Sequence, residues 1–230
     1  MKPKILLVED EDAIRKFVKI NIERAGMDVW EAANGEDGVR LARLHRPDVV
    51  VLDVMMPVMD GIEACGILRK EFPEMGIIFL TAKTQDIDKI SGLEMGSDDY
   101  LTKPFNPTEL ILRIKSLLRR VNREEKGDNN ILEYGPFKID TYSRRFLKDD
   151  MEIELTPTEF AIISIFMKSP GKALTRDEIL NLAWGCDFIG DSKIVDVNIR
   201  RLRHKIEDDS RNPDYIQTVW GMGYRWGDAK

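Results

Sequence analysis

Short apolar runs alternate with amphipathic stretches through the first half of the chain. Each run is rich in β-branched residues, which favours the buried strands of a parallel sheet. The predicted strands are Lys4–Val8, Asp28–Ala32, Val49–Asp53, Ile77–Thr81 and Asp99–Leu101. Apolar residues recur at helical spacing between them, first in Ala13, Phe17, Ile20 and Ile22 and then in Val39, Leu41 and Leu44. Strands that alternate with helices indicate a parallel sheet with helices on both faces, which we place at residues 1–121.

A polar stretch separates this unit from a second one. Residues 122–130 consist of polar side chains and one glycine, a composition that predicts a linker. Alternating segments with turn residues follow from Ile131 to Leu155 and predict a small antiparallel sheet. We therefore place the second domain at residues 131–230.

Helix signals mark the rest of the second domain. Two capping boxes, in which a threonine and a glutamate three residues later satisfy backbone amides reciprocally, predict helices after Thr156 and Thr175. A third helix is predicted from Ser192 to Glu207. Two short strands around a glycine-containing turn, Tyr215–Val219 and Gly223–Trp226, predict a hairpin. Helices followed by a terminal hairpin are typical of an α+β winged helix-turn-helix domain.

Charge and composition limit the classes of function. The chain has 230 residues, of which 43% are apolar and 33% charged, and its net charge is -6. Residues 131–230 carry 15 basic and 17 acidic side chains, so any nucleic-acid surface must be local. No apolar stretch approaches the ~20 residues of a membrane helix, and the N-terminus is too short for a signal peptide. With Cys65 and Cys186 far apart, we expect a cytoplasmic protein with free thiols and no membrane partner.

Acidic residues end two of the predicted strands. Asp53 ends the run Val49–Leu52, and Glu9 and Asp10 follow Ile5–Val8. Because open α/β sheets bind ligands at the carboxyl ends of their strands, these groups are expected at one edge. Like charges in such a place need a cation, and Mg²⁺ prefers carboxylates with water and phosphate oxygens.

A hydroxyl and an ammonium are predicted at the same edge. Thr81 ends one strand, and Lys103 follows another. Beside a carboxylate-bound metal, these groups can hold a phosphoryl group. The chain has no GxxxxGK[ST] loop for ATP, and Met55 stands where many aspartyl-phosphate phosphatases carry a second aspartate. A metal-dependent phosphatase or phosphotransferase stays open at this point, as does a module that signals only through protein partners.

Residues 1–121 resemble the receiver domain of two-component response regulators. The matching motifs are Glu9-Asp10, Asp53 with Met56-Pro57 and Asp60-Gly61, Thr81-Ala82, and Tyr100 with Lys103-Pro104-Phe105. The resemblance implies a flavodoxin-like (CheY-like) fold with a five-stranded parallel sheet in the order 2-1-3-4-5.

The resemblance also implies roles for individual residues. Asp53 would accept a phosphoryl group from a cognate sensor histidine kinase. Mg²⁺ would be held by Glu9, Asp10, Asp53 and the carbonyl of Met55, while Lys103 and Thr81 would contact the phosphoryl oxygens. Beyond catalysing its own phosphorylation and dephosphorylation, the protein would not be an enzyme.

A switch and a dimer interface follow from the same resemblance. In receivers the aromatic residue at the position of Tyr100 turns inward when Thr81 moves onto the phosphoryl group. In the OmpR/PhoB subfamily, receivers dimerise through the fourth helix, fifth strand and fifth helix. The implied intersubunit pairs, which would form in the phosphorylated homodimer, are Lys89–Glu109, Asp99–Arg113 and Asp98–Arg120.

The third helix of the second domain carries a basic face. Val195, Ile199, Leu202 and Ile206 form one apolar stripe. The predicted opposite face consists of Lys193, Val197, Arg200, Arg201 and His204, flanked by Asn198, Arg203 and Lys205. Arginines read guanine edges, valine contacts a thymine methyl, and the flanking groups suit phosphates. A solvated basic helix without any ligand is the alternative for this helix by itself.

Residues 131–230 resemble the OmpR/PhoB winged-helix effector domain. The matching residues are Leu155–Phe160, Leu174-Thr175-Arg176, Trp184, Val195-Asp196-Val197, Ile199–Arg203 and Gly221–Arg225. The resemblance implies binding to double-stranded promoter DNA, on tandem direct repeats, with the third helix in the major groove and the hairpin at the minor groove. Thr218, Trp220 and Tyr224 would be the DNA contacts of the hairpin. The loop from 185 to 191 would reach RNA polymerase.

Three residues depart from the family pattern or leave it open. The hairpin of this family often carries an arginine where this chain has Trp220. Tryptophan has no charge to attract it to a narrow minor groove, so that way of reading DNA is lost. Trp220 then packs either on the sugar-phosphate backbone or against the domain. Met55 and Lys83 occupy positions that modulate dephosphorylation, and they leave the lifetime of the phosphoryl group open.

Overall fold

The computed structural model describes residues 2–82, 96–121, 130–186, 188 and 190–227. Contacts within the chain divide it into two compact units, Met1–Val121 and Asn122–Lys230. Several predicted features lie outside the described residues. They are Lys83, Lys89, the helix expected between the fourth and fifth strands, and positions 122–129 of the predicted linker. Among the helices of the described residues, none is long and apolar enough to cross a membrane.

The first unit is built on a five-stranded parallel sheet. Its strands stand in the order β2-β1-β3-β4-β5, which confirms the predicted flavodoxin-like topology. The strands are β1 (Lys4–Val8), β2 (Asp28–Ala32), β3 (Val49–Asp53), β4 (Gly76–Thr81) and β5 (Asp99–Thr102). The described helices are α1 (Asp12–Arg24), α2 (Gly35–His45), α3 (Gly61–Glu71) and α4 (Pro107–Val121).

Two apolar layers enclose this sheet. Leu52 and Phe79 belong to the layer that contains residues of α2 and α3, while Val51 and Leu80 belong to the layer that contains residues of α1 and α4. All five residues of β3 are buried, as a continuous apolar run predicts for a central parallel strand. The sheet therefore holds the end of β3, and Asp53 with it, in a rigid place.

The apolar residues that mark the first two helices are only partly buried: Ile22 and Val39 are buried and Leu41 is half-buried. Phe17 is 50% exposed and Ala13, Ile20 and Leu44 are exposed too, whereas Val18 and Ile22 form the buried face of α1. Apolar residues stand on more than one side of each helix, so helical spacing alone identifies the helix but not all of its buried residues.

The second unit combines two small sheets with three helices in its described residues. The four-stranded sheet contains β6 (Ile131–Tyr134), β7 (Phe137–Asp140), β8 (Arg145–Lys148) and β9 (Met151–Glu152). The other sheet has the order β10-β12-β11, from β10 (Leu174–Thr175), β11 (Ile216–Val219) and β12 (Gly223–Trp226). The helices are α5 (Pro157–Lys168), α6 (Arg176–Trp184) and α7 (Lys193–Ile206). The predicted winged helix is thereby confirmed.

Local signals explain where these elements begin and turn. Both predicted capping boxes are present, at Thr156 with Glu159 and at Thr175 with Glu178. Gly223 allows β12 to approach β10, since a Cβ there would stand 2.2 Å from the carbonyl oxygen of Leu174. The buried ring of Trp226 packs on Phe137 with ring centroids 5.3 Å apart, which joins the terminal hairpin to the four-stranded sheet.

Candidate functional site

Three carboxylates meet at the carboxyl edge of the first sheet. Oxygen atoms of Glu9, Asp10 and Asp53 all lie within 4.8 Å of one another. Glu9 and Asp53 are buried, while Asp10 is exposed. The neighbouring positions of β1 and β3 in the sheet produce this cluster, because both strands end at the same edge. The side chains predicted from strand ends are therefore brought together.

Lys103 lies between two of these carboxylates. Its Nζ is 2.8 Å from Asp53 Oδ2 and 2.9 Å from Glu9 Oε1. The backbone fixes this position, because the N–H of Lys103 donates to the carbonyl of Thr81 at 2.7 Å, just beyond the ends of β4 and β5. The ammonium supplies positive charge to a largely buried acidic site.

The ionisation of the cluster reflects its burial. Burial, together with the nearby charge of Asp53, raises the pKa of Glu9 to about 7, although the hydrogen bond from Lys103 acts in the opposite direction. Burial by itself would lower the pKa of Lys103, but the hydrogen bonds to Asp53 and Glu9 outweigh it and raise that pKa. The cluster therefore favours an additional positive charge.

The donor set fits Mg²⁺. Mg²⁺ takes hard oxygen ligands, commonly one or two carboxylates with water and phosphate oxygens. Glu9, Asp10 and Asp53 supply such oxygens from a group compact enough for one ion. The exposed carboxylate of Asp10 leaves a side of the cluster open to solvent.

The loop after Asp53 is held by a glycine and a helix cap. A Cβ on Gly61 would stand 1.9 Å from the carbonyl oxygen of Asp53, so only glycine fits there. Asp60 caps α3, because its Oδ1 accepts from the N–H of Glu63 at 2.8 Å. The N–H of Met55 points to Asp53 Oδ1 at 3.4 Å, and the Met55 side chain is 66% exposed.

Thr81 and Tyr100 occupy adjacent strands beside the cluster. Thr81 is fully buried at the end of β4, in the strand next to Asp53. Tyr100 pairs with Phe79 in the sheet and is half-buried against the apolar layer that contains α2 and α3 residues. Thr81 and Tyr100 therefore lie on the adjacent strands β4 and β5.

The residues predicted for a dimer interface pair within one chain. Arg113 donates from Nη1 to Asp99 Oδ1 at 2.8 Å and from Nη2 to Glu109 at 2.7 Å. Asp98 is fully buried and accepts from Arg69 at 2.9 Å and from the N–H of Ile77 at 3.0 Å. Lys89, the predicted partner of Glu109, lies outside the described residues.

Arg120 joins the same buried charges. Burial lowers the pKa of Arg120 to about 10, while Asp98 and Asp99 oppose the shift. Burial also raises the pKa of Asp99, against the effect of Arg113 and Arg120. Asp99 thus interacts with Arg113, and Asp98 with Arg120, inside a single chain, whereas the sequence interpretation assigned these two pairs to two chains.

The predicted basic face of α7 is only partly exposed. The apolar stripe is buried as predicted. Lys193, Arg200 and His204 are exposed, and Val197 is half-buried. These four residues follow one another at spacings of four, three and four, so they share one side of the helix.

Two predicted contacts on this helix require correction. Asn198 and Arg201 are buried, with 1% and 5% of their surface accessible. The Nδ2 of Asn198 donates to the carbonyl of Ile194 at 2.8 Å. Since α7 packs on both α5 and α6, its buried face is wider than the apolar stripe, and polarity by itself assigned these residues to the wrong side.

The flanking cations hold α7 to its surroundings. Arg203 donates to the carbonyl of Ile216 at 2.6 Å and to Thr218 Oγ1 at 2.9 Å, and burial lowers the pKa of Arg203. Lys205 contacts Glu159 Oε2 and the carbonyl of Glu154, both at 2.8 Å. Arg203 therefore ties α7 to the hairpin.

Sequence reasoning missed a polar cluster between α6, α7 and β12. Asp196 accepts from Arg176 Nε and from the hydroxyl of Tyr224, each at 2.7 Å. Tyr224, which the sequence predicted as a DNA contact, is buried, and its hydroxyl binds Asp196 inside the domain. These three residues lie in the quoted motifs, but their separation along the chain gave no signal that they meet.

The tip of the hairpin is apolar and exposed. Trp220 is 92% exposed, which excludes the alternative that it packs against its own domain. Gly221 has a φ of +76°, and the N–H of Met222 donates to the carbonyl of Val219 at 3.0 Å. This turn projects Trp220 and the partly exposed Met222 from the domain.

Two family models match the chain. The model described as the response regulator receiver domain matches residues 5–115. The model described as the C-terminal domain of transcriptional regulatory proteins matches residues 150–226. The acidic cluster lies in the first match, and α7 with its hairpin lies in the second.

Curated relatives match over the whole length. The alkaline phosphatase synthesis transcriptional regulatory protein PhoP of Bacillus subtilis is 43% identical over 100% of this chain and 99% of its own length. The transcriptional regulatory protein AfsQ1 of Streptomyces coelicolor is 43% identical, over 97% of both chains. The solved structure of response regulator DrrB, a Thermotoga maritima OmpR/PhoB homologue, is 36% identical with a TM-score of 0.51 and covers 99% of this chain and 100% of DrrB.

Proposed function

Because this chain belongs to the OmpR/PhoB family of two-component response regulators, we propose that phosphorylation of Asp53 controls its binding to promoter DNA. The chain is a DNA-binding transcriptional regulator rather than a conventional enzyme, and its receiver domain implies a histidine kinase as partner. The observation that carries the proposal is the contact of Lys103 Nζ with Asp53 Oδ2 at 2.8 Å inside the acidic cluster.

Asp53 acts as the nucleophile in this proposal. A carboxylate oxygen of Asp53 forms a bond to phosphorus while the bond from phosphorus to the kinase histidine breaks, and the histidine nitrogen keeps the bonding electrons. Lys103 pairs with the phosphoryl oxygens, and the Thr81 hydroxyl donates to one of them. Phosphoryl transfer depends mainly on positioning and charge stabilisation, so this small set suffices.

Glu9, Asp10, Asp53 and the carbonyl of Met55 are the proposed ligands of Mg²⁺. When bound, Mg²⁺ neutralises the charge on the phosphoryl oxygens. The compact carboxylate group supports this assignment, and so does the Asp60-Gly61 cap, because it fixes the loop that carries Met55. Self-catalysed loss of the phosphoryl group would take place at the same site.

The phosphorylated protein is proposed to form a homodimer. Thr81 and Tyr100 would shift together when Thr81 bonds to the phosphoryl group, since they stand on adjacent strands. Asp99 and Arg113, which pair within one chain at 2.8 Å, would exchange partners with the same residues of a second chain. Asp98 and Arg120 would do the same, and Lys89 would pair with Glu109.

The second domain is proposed to bind tandem direct repeats in promoter DNA. Lys193, Val197, Arg200 and His204 form the exposed side of α7, which would enter the major groove. Thr218 at the hairpin would contact the sugar-phosphate backbone next to it. The loop from 185 to 191, in which 187 and 189 lie outside the described residues, would contact RNA polymerase.

Acetyl phosphate with Mg²⁺ tests the proposal. We expect it to tighten promoter binding about tenfold in the unmodified chain, a common size for coupling between two sites. Asp53→Ala should abolish this gain. Asp28→Ala is the matched control, because Asp28 is an exposed aspartate at the start of β2, remote from the carboxyl edge. Stimulation that persists in Asp53→Ala, measured by fluorescence anisotropy, would contradict the proposal.

A further inference from the structure

We propose that Trp220 is an apolar DNA contact that inserts into the minor groove and favours deformable base steps. This inference deepens the proposed function, since it requires that the second domain binds duplex DNA. It concerns a side chain that departs from the arginine seen in the family, so the chemistry of the contact differs from charge attraction.

Exposure is the first observation. Trp220 is 92% exposed and its neighbour Met222 is 48% exposed, whereas Trp184 and Trp226 of the same unit are buried. Burial of apolar surface contributes about 25 cal/mol of free energy for every Å² removed from water. A partner that covers Trp220 recovers this free energy.

The position of the hairpin selects DNA as that partner. Arg203 of α7 donates to Ile216 and Thr218 of β11, and Thr218 lies two residues before Trp220. Asp196 of α7 accepts from Tyr224 of β12 at 2.7 Å. Both strands of the hairpin are thus bonded to α7, so the tip keeps a fixed position beside the helix that carries Lys193, Arg200 and His204.

Charge supports the same partner. The segment 215–226 contains no acidic residue and one basic residue, Arg225. Arg225 is exposed and donates to Gln217 Oε1 across the hairpin at 2.9 and 3.0 Å. An apolar tip without negative charge, joined to a basic helix side, is complementary to a phosphate-lined groove.

The chemistry of tryptophan predicts what the tip recognises. Arginine is drawn to the negative potential of a narrow minor groove, such as that of an A-tract. Apolar side chains act instead as wedges that partly unstack a base step, and pyrimidine–purine steps unstack most readily. Trp220 should therefore prefer a TA or CA step at the hairpin position over an A-tract.

The test uses the full chain and a duplex selected from random DNA. Binding is measured over a series of salt concentrations for Trp220→Ala, Trp220→Phe and Trp220→Arg. Trp220→Ala should weaken binding about tenfold, as expected for a lost aromatic contact, and should leave the slope of log K against log salt unchanged. The affinity of Trp220→Phe for DNA should stay within about threefold of that of the unmodified chain. Trp220→Arg should strengthen binding and steepen the slope by about one unit, because it adds a phosphate contact.

Fluorescence gives a second readout that does not depend on affinity. The signal of Trp220 is obtained by comparing the unmodified chain with Trp220→Phe. We expect DNA to protect this signal from acrylamide. Unchanged quenching, or Trp220→Ala with the affinity of the unmodified chain, would overturn the inference.

Arg200→Ala separates failure of the inference from failure of the proposed function. If Arg200→Ala loses binding while Trp220→Ala keeps it, DNA binding stands and the inference falls. If the unmodified chain binds no duplex, both fall. A change in oligomeric state with unaltered DNA affinity in Trp220→Ala would also overturn the inference, because the tip would then contact protein.

Discussion

At the level of single residues, the position of Asp53 in the acidic cluster depends on a glycine, because a side chain at that place would collide with the backbone. Gly61 allows the start of α3 to lie against the carbonyl of Asp53, where a Cβ would stand 1.9 Å from the oxygen. The same helix holds Gly66, where a Cβ would have nothing within 4 Å. Gly61 begins the helix and Gly66 lies in its exposed interior, so the two offer a pair of substitutions with and without a backbone collision.

Gly61→Ala should destabilise the protein and impair phosphorylation of Asp53. We expect a loss of about 1–3 kcal/mol in the free energy of unfolding, because the added methyl group must displace backbone. Gly66→Ala should instead stabilise by up to ~1 kcal/mol, since alanine favours an exposed helix interior. Urea unfolding measures both, and equal effects of the two substitutions would contradict the assigned role of Gly61.

The sequence predicts which charged residues meet in the acidic cluster more directly than it predicts the ion pairs on β5 and α4. Glu9 and Asp53 meet Lys103 because all three stand at strand ends, and a parallel sheet brings strand ends to one edge. Asp99 and Arg113 also meet, but the sequence does not say whether they do so within one chain or between two. Local patterns carry no information on that choice.

At the level of elements, α7 and the hairpin behave as one unit joined by Arg203. Its guanidinium donates to the carbonyl of Ile216 and to Thr218 and stacks over the ring of Tyr224 at 5.5 Å. The predicted helix and hairpin were correct to within one residue at each end. Their connection was not predicted, because polar side chains on a basic helix were all assigned to DNA.

Arg203→Ala should loosen the hairpin from α7. We expect the free energy of unfolding to fall by about 1–3 kcal/mol, because the carbonyl of the buried Ile216 loses its donor. Amide hydrogen exchange in β11 should accelerate, and DNA affinity should fall with it. Arg211→Ala serves as the control, since Arg211 is an exposed arginine outside both elements. Unchanged exchange in Arg203→Ala would show that the bond is dispensable.

At the level of the whole molecule, the proposed regulation would require that phosphorylation of Asp53 changes the pairing of Asp99, Arg113 and Arg120. These charges lie on β5 and α4, next to the strand that ends in Thr81. The two domain types and the fold of each were predictable, because alternating strands, capping boxes and motifs repeat the same signal. Lys89 belongs to the same predicted surface but lies outside the described residues.

Beryllofluoride with Mg²⁺ should shift the protein from monomer to dimer. The physical reason is that a ligand which favours one state moves the population by its difference in affinity for the two states. Sedimentation velocity measures the mass before and after addition. Asp53→Ala should show no shift, since beryllofluoride binds to the aspartate, and an unchanged mass in the unmodified chain would contradict the proposal.

The pairing of Asp99 with Arg113 inside one chain has a consequence for signalling fidelity. In the proposed dimer, an exchange between two chains would replace each contact by an identical one, so this pair would contribute no preference for a copy of the same protein. Any other regulator in the cell that presents an aspartate and an arginine at these positions would satisfy it equally well. Insulation of one pathway from another must therefore come from contacts outside this pair, and a survey of mixed dimers would locate them.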